Sequence, residues 1–411
     1  MKKRNCQYLG ISLLLLLLLS GCKEAKELGA EMTGLLESQV MGTEQMESFG
    51  YFSEEAPDDI LQPATLAELA EAELAKDEPV ESTSRDCYAY RTLNDEEKQV
   101  YDQIYYVLSG HIKTVTVNTL DIDVLDKAYR AVMADHGEIF WTQGYSYTQY
   151  LQNEKLVSID LAPDYTMTQE ERATLQEQIN DKVGKILSGI DAEATDYEKA
   201  KYVFDYLATN VEYCTDAQNN QNIISVFLQK ETVCQGYANA MQYLLGQLGI
   251  QAVVVTGTAE GQPHAWNLVQ LDGEYYYMDV TWGNSSYTGV GGEIGKFVDY
   301  HYFAVTSEEL SDTHIPDGFL TLPECTATAD SYFIHEGKYF SEWQEEEIGA
   351  LMTAAYQEEA EVLSIKFTTT ELYEQAVNFF IIEQHIADYC EGLESLQYLE
   401  DKEGLVLTIK F

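Results

Sequence analysis

Basic residues are scarce in this chain. Lys and Arg number 24 against 70 Asp and Glu in 411 residues, a formal charge of −46. Nucleic-acid binding rests on clustered Lys and Arg against phosphate, so this balance argues against such a partner. The same sign predicts repulsion from an anionic membrane surface. Long apolar runs are missing too. The run Ile11–Leu19, broken only by Ser12, is shorter than the roughly 20 residues that a membrane-spanning helix requires. There is no CxxC pair, no Cys/His cluster and no D-x-D-x-D-G loop, so neither a zinc site nor a calcium loop is implied. No metal or other cofactor is expected, and no repeat of fixed period is visible. The 45% hydrophobic content still supports a sizeable core, and the length suits two or three compact domains.

The amino terminus sets the expected compartment. Lys2, Lys3 and Arg4 precede the apolar run, and "LSGC" (Leu19 to Cys22) follows it. This is the layout of a secretory signal, and the last four residues resemble a bacterial lipobox. That implies cleavage before Cys22, a diacylglycerol on its sulfur, and a protein tethered by lipid on the extracellular face of the cell membrane. Seven cysteines are present. With Cys6 in the signal and Cys22 lipidated, Cys87, Cys214, Cys234, Cys325 and Cys390 remain. The number is odd and the spacing wide, so no disulfide framework is expected.

Composition divides the rest. Residues 1–21 read as the signal peptide and 22–86 as an acidic disordered stalk. Folded sequence starts near Cys87, with an N-terminal α/β region over 87–165. There "LNDEEKQVYDQIYYVLSG" predicts a helix capped by Asn94, "HIKTVTV" a strand, and "DVLDKAYRAVMADHG" a helix with Gly137 as its C-cap. "IFWTQGYSYTQYLQNEKLVSIDL" reads as strands around a turn. Helices are predicted over Thr168–Leu187 and Asp196–Asn210, the second with Ala200, Val203, Phe204 and Leu207 on one stripe. Residues 326–411 form a small α/β module. In it "SYFIHEGKYFS" suggests a hairpin and "ELYEQAVNFFIIEQHIADYC" one helix.

"ETVCQGYANAMQYLLGQLGI" (Glu231–Ile250) places Cys234 in the first turn of a predicted helix, where the helix N-terminus favours thiolate. Thr232 and Gln235–Gly236 suit the start of that helix, and Gly236 and Ala238 are small enough to leave room for a substrate. A nucleophilic thiol needs a base, and the base an orienting acid. "HAWNLVQLDGEYYYMDVTW" carries both candidates, His264 and Asp279. Asp272–Gly273 is a two-residue hairpin signal. With that loop, Leu271 pairs with Glu274, Trp266 with Asp279 and His264 with Thr281. His264 and Asp279 then share one sheet face as diagonal neighbours about 7 Å apart, and a slip of one residue would separate them. Asn267 falls on the opposite face, as a brace.

"VCQGYANAMQYLLGQLGI", "HAWNLVQLDGEYYYMDVTW" and "DYEKAKYVFDYLATNVEY" together resemble the bacterial transglutaminase-like superfamily. The likeness covers about Asp196 to His314 and makes 166–325 the transglutaminase-like domain. It implies an α+β, papain-like core in which a nucleophile-bearing helix packs on an antiparallel sheet, with a Cys234–His264–Asp279 triad. Oxyanion donors would come from backbone N–H groups near Cys234, with Gln235, Tyr213 or Gln221 as side-chain candidates. Trp266 is a candidate wall of a substrate groove, whereas Trp282 reads as core. The "EYYYMD" tyrosines read as buried strand aromatics. "DYHYFAVTSEELSDTH" resembles the tail of this domain, which makes His301 and His314 structural or site-adjacent rather than the base. The reaction implied is attack on an amide carbonyl through a thioester. The most direct reading is a peptidase or amidohydrolase acting on peptide or protein of the cell envelope. A protein-crosslinking acyltransferase and a non-catalytic cell-surface binding module are the alternatives. The sequence says nothing about oligomeric state.

Overall fold

The computed structural model describes residues 86–289 and 292–411. The signal peptide, Cys22 and all of the stalk but residue 86 lie outside the described residues. Among those described, no helix is long and apolar enough to cross a membrane.

The N-terminal region begins with α1 (Tyr88–Thr92) and α2 (Asp95–Gly110). Asn94 caps α2 as its sequence predicts. Its side chain accepts from Glu96 and Glu97 N–H, and the Glu97 carboxylate answers the Asn94 N–H, closing a capping box. In "HIKTVTV" only Val115–Thr116 is strand (β1). Helix α3 (Ile122–Asp135) ends at His136, one residue before the predicted Gly137 cap. Gly137 serves another purpose: a Cβ there would sit 2.4 Å from Asn239 O, so the glycine lets this region close on the helix that carries Cys234. Gln242 of that helix accepts from Gly137 N–H at 2.9 Å and donates to Asp135 O at 2.6 Å. The strands β2 (Thr142–Gln152) and β3 (Lys155–Tyr165) form the expected antiparallel pair.

The helices α4 (Gln169–Leu187) and α5 (Asp196–Asn210) follow. The predicted stripe Ala200, Val203, Phe204 and Leu207 on α5 is buried throughout. Short β4 (Glu212–Tyr213) runs parallel to β5 (Glu231–Thr232). The helix α6 (Cys234–Gln247) leads into β6 (Ala252–Ala259), β7 (Gln262–Leu271) and β8 (Glu274–Met278). A one-turn helix α7 (Val280–Gly283) precedes the hairpin β9 (Asn284–Gly289) and β10 (Gly292–Val298). After α8 (Ser307–Ser311), β11 (His314–Pro316) returns to the sheet. Its order is β11-β6-β7-β8, antiparallel throughout. The fold is thus α+β, with a buried helix packed on an antiparallel sheet. Ala238 of α6 meets Val254 and Ala265 of the sheet in a small buried cluster, and Asn267, 1% exposed, donates to Ala238 O at 2.9 Å. That contact makes Asn267 the brace its register predicted.

The C-terminal module departs from two expectations. "SYFIHEGKYFS" forms a one-turn helix α9 (Tyr332–His335) and a short strand β12 (Tyr339–Phe340), not a hairpin. The predicted single helix is interrupted. After α10 (Glu345–Gln357) and β13 (Val362–Phe367) come α11 (Thr370–Ala376), a π-helical turn at Val377–Ile382, and α12 (Ile386–Tyr389). Gln384, at φ 65°, breaks the run; such backbone is costly for a residue with a Cβ and ends a helix. The strands β14 (Gln397–Asp401) and β15 (Val406–Lys410) complete the sheet β12-β13-β15-β14. Apolar burial divides the chain in two. One cluster takes in residues from Tyr88 through Phe333 together with Val406 of β15, and a second lies within Phe340–Ile409.

Candidate active site

The β7–β8 hairpin turns at Asp272 (φ 48°) and Gly273 (φ 91°). Two positive φ values define a type I′ turn, which matches the right-handed twist of the strands. The register is the predicted one from Leu271↔Glu274 to Asn267↔Met278. There the strand stops, so the expected Trp266↔Asp279 and His264↔Thr281 pairs do not form. Asp279 leaves the ladder at φ −125°, ψ 96° and becomes the N-cap of α7, its Oδ1 accepting from Thr281 N–H at 2.8 Å and Trp282 N–H at 3.3 Å. The cap fixes the carboxylate so that Oδ2 lies 2.7 Å from His264 Nε2. The His–Asp pair therefore exists, made by a helix cap in place of the last two ladder pairs.

Both partners are sealed from water: the His264 side chain is 8% exposed and that of Asp279 1%. Burial alone would lower the basicity of His264, but the Asp279 carboxylate and its hydrogen bond outweigh it. The Cys234 thiol faces the same ring closely enough to act through hydrogen bonding and charge. The imidazole pKa rises to about 10. Burial pushes the Asp279 carboxyl the other way, yet His264 and His314 hold it well below the usual carboxylate range. With Nε2 committed to Asp279, His264 Nδ1 is the nitrogen left for the thiol. Cys234 is the first residue of α6 and is 5% exposed. The arrangement is a thiol, a base and an orienting acid.

Details around the thiol differ from expectation. Thr232 does not cap α6; its Oγ donates to Asn220 O at 2.8 Å and accepts from Ser225 Oγ at 2.8 Å. The cap residue is Val233, with no side-chain hydrogen bond. Gly236 leaves no room for substrate, because a Cβ there would sit 1.9 Å from Thr232 Oγ1 and 2.9 Å from Asn220 O. Its small size lets the preceding loop pack against the helix start. The Gln235 amide is turned along α6 and donates to Asn239 Oδ1 at 2.9 Å, while Asn239 donates to Gln221 O at 3.2 Å. Tyr213 lies on β4, paired with Thr232, and packs against the main core. The first-turn N–H groups of α6 are the donors nearest in sequence to the sulfur, in keeping with the unsatisfied N–H groups of a helix start.

The tryptophans are buried to different extents than expected. Trp266 is 1% exposed, so it backs the site from the core and does not wall a groove, whereas Trp282 is partly exposed. Trp266 Nε1 and Thr281 Oγ1 are buried with no hydrogen-bond partner, an arrangement that costs about 1–3 kcal/mol for each group. Tyr276 and Tyr277 are buried strand aromatics. His301 lies elsewhere, bridging Asp299 at 2.7 Å and Asp401 of the C-terminal module at 3.5 Å. His314 does reach the site: its Nε2 lies 3.1 Å from Asp279 Oδ2. The sequence ranks it only as site-adjacent, because nothing in a local pattern signals a contact across 35 residues. The donor atoms of His264, Asp279 and His314 all fall within 4.8 Å of one another, the spacing of a metal-binding cluster. Here His264 and His314 are each hydrogen-bonded to Asp279. A cavity of about 790 Å³ lies toward the far end of α6, lined by His136, Trp141, Arg172, Gln242 and Tyr243, and none of Cys234, His264 and Asp279 lines it. None of the five described cysteines is joined in a disulfide.

A thiol at the head of a buried helix, set against a His–Asp pair on an antiparallel sheet, defines the class: an α+β domain of the papain-like kind. Residues 185–280 match the family model of the transglutaminase-like superfamily, and the chain carries a domain of that superfamily. Kyphoscoliosis peptidase of Mus musculus is 20% identical over 191 residues, 41% of this chain and 28% of that protein. Its Homo sapiens counterpart is 22% identical over 188 residues, 40% and 28%. The chain thus spans less than a third of the length of these relatives. The crystal structure of a TGase aligns with 36% of this chain and 47% of its own, at 18% identity and a TM-score of 0.25.

Proposed function

We propose that this protein is a cysteine enzyme that cleaves amide bonds through a thioester, with Cys234 as nucleophile, His264 as base and acid, and Asp279 as the orienting carboxylate. The observation that carries the reading is the buried 2.7 Å His264–Asp279 contact beside a thiol at a helix N-terminus. His264 Nδ1 takes the thiol proton, and the sulfur attacks the carbonyl carbon. First-turn N–H groups of α6 would receive the developing oxyanion. As the C–N bond breaks, His264 returns the proton to the leaving amine and the acyl group stays on sulfur. His264 then takes a proton from water, whose oxygen attacks the thioester, and the carboxylic acid leaves as the thiol re-forms. An amine in place of water gives transamidation. The curated relatives are peptidases by name, which favours hydrolysis. Tethering through lipid on Cys22, beyond the acidic stalk, would direct the enzyme to peptide or protein of the cell envelope.

Alkylation by iodoacetamide, followed peptide by peptide, tests the nucleophile. Cys234 is expected to react at pH 6 far faster than an ordinary thiol, and His264→Ala to abolish the difference. Equal rates would overturn the reading. A casein-like protein incubated with and without a labelled amine then separates cleavage from cross-linking.

A further inference from the structure

Asp279 has a second histidine on the same oxygen. His264 Nε2 and His314 Nε2 both point at Asp279 Oδ2, at 2.7 and 3.1 Å. His314 arrives from β11, which is locked to β6 by the His314↔Ala259 register and by a Glu260 N–H to Thr313 O bond of 2.9 Å. Its side chain has no exposed surface. Trp282, Trp266 and His264 surround the ring at centroid distances of 4.8, 5.0 and 5.4 Å, and Tyr302 stands at 6.2 Å. The ring therefore cannot turn away.

We propose that His314 is a positioning residue for the Cys234–His264–Asp279 chemistry: with its ring held through Nδ1 by Thr313, it donates from Nε2 to Asp279 Oδ2 and holds that carboxylate against His264. The inference rests on the catalytic reading above. An ionised carboxylate only accepts hydrogen bonds, so His314 Nε2 carries the proton. On the other side of the ring, Nδ1 is hydrogen-bonded to the Thr313 hydroxyl at 2.7 Å. The same hydroxyl donates to Leu310 O at 3.4 Å, which ties the Thr313 side chain to the end of α8. Asp279 thus receives two imidazole N–H groups on Oδ2 and two backbone N–H groups on Oδ1. Without His314 the donors on Oδ2 fall to His264 alone, and the acid is free to tilt out of the His264 ring plane. The imidazolium then loses support, and the thiolate it stabilises becomes rarer at low pH.

The full chain is compared as wild type, His314→Phe, His314→Gln and Thr313→Val, by Cys234 alkylation at pH 6 and pH 10. Phenylalanine fills the space with no donor, whereas the glutamine amide can replace the Nε2–H. His314→Phe is expected to lower the pH 6 rate about tenfold, one unit in apparent thiol pKa, and to leave the pH 10 rate within about twofold, since any accessible thiol is ionised there. His314→Gln is expected to recover most of the loss, and Thr313→Val to show a smaller loss of the same kind. An unchanged pH 6 rate in folded His314→Phe overturns the proposal. So does a His314→Gln variant that melts like wild type and reacts no better than His314→Phe. If His314→Phe does not fold, Thr313→Val decides: a selective loss at pH 6 supports the proposal and an unchanged ratio overturns it. A wild-type Cys234 that reacts like an ordinary thiol defeats the catalytic reading, and this inference falls with it. A reactive wild type beside an indifferent His314→Phe defeats this inference alone.

Discussion

Asp279 does two jobs with two oxygens. One caps α7 and the other holds the histidines. Asp279→Asn is expected to keep the cap, since an amide oxygen also accepts N–H bonds, while turnover drops by roughly 10³- to 10⁴-fold, as for a neutralised acid in a comparable triad. Turnover of an amide substrate beside a melting curve checks both halves. The pair also links stability to pH. Asp279 is depressed in the fold, so its contribution is intact above an unfolded value of about 3.9 and is lost as pH falls through the folded value. His264 is raised, so its contribution is intact below about 6.5 and is lost as pH rises through about 10. Urea unfolding across pH is expected to show stability falling from pH 6.5 toward 10, with that slope reduced in His264→Phe. Cys234, His264 and Asp279 were singled out by residue type, hairpin register and family resemblance, and the structure brings His264 and Asp279 into contact. His314 was not, because its contact is made by a strand that pairs far from it in sequence.

Among the elements, α6 and the β7–β8 hairpin position the site. Gly236→Ala is expected to cost about 1–3 kcal/mol, the scale of an overpacked site, because the new Cβ meets Thr232 Oγ1 and the Asn220 carbonyl. It should also slow Cys234 alkylation at pH 6, as the helix start is pushed from His264. Denaturant melts and alkylation rates check the two effects, and normal values for both would show that the loop yields. The turn dipeptide set the hairpin register correctly through Asn267↔Met278. It could not show where β8 ends. That is decided by Asp279, whose side chain accepts from the Thr281 and Trp282 N–H groups and so starts α7 where the ladder would have continued. The interrupted C-terminal helix has a similar origin: its apolar pattern continues through Val377–Ile382, but the backbone widens into a π turn and reverses at Gln384.

At the scale of the molecule, charge and core organisation dominate. A formal charge of −46 favours expansion through self-repulsion. Raising salt from about 0.02 to 0.5 M shortens the Debye length from roughly 20 to 4 Å and is expected to raise the melting temperature. A Tm that is flat or falls with salt would contradict this. The C-terminal module is joined to the first core by Val406 of β15, which packs into it, and by polar contacts such as Lys366–Glu309 at 3.2 Å and His301–Asp401 at 3.5 Å. The basicity of His301 is raised, against the pull of burial, by Asp299 and Asp401. The amino-acid sequence by itself determined the Asn94 cap, the Asp272–Gly273 turn and the apolar stripe of α5, because each depends on neighbours within a few positions. Tertiary structure decided the rest. It placed Trp266 in the core and Trp282 at the edge, gave Gly236 to loop packing, and brought His314 onto Asp279. Those outcomes depend on which distant surfaces exclude water together, and no local pattern records that.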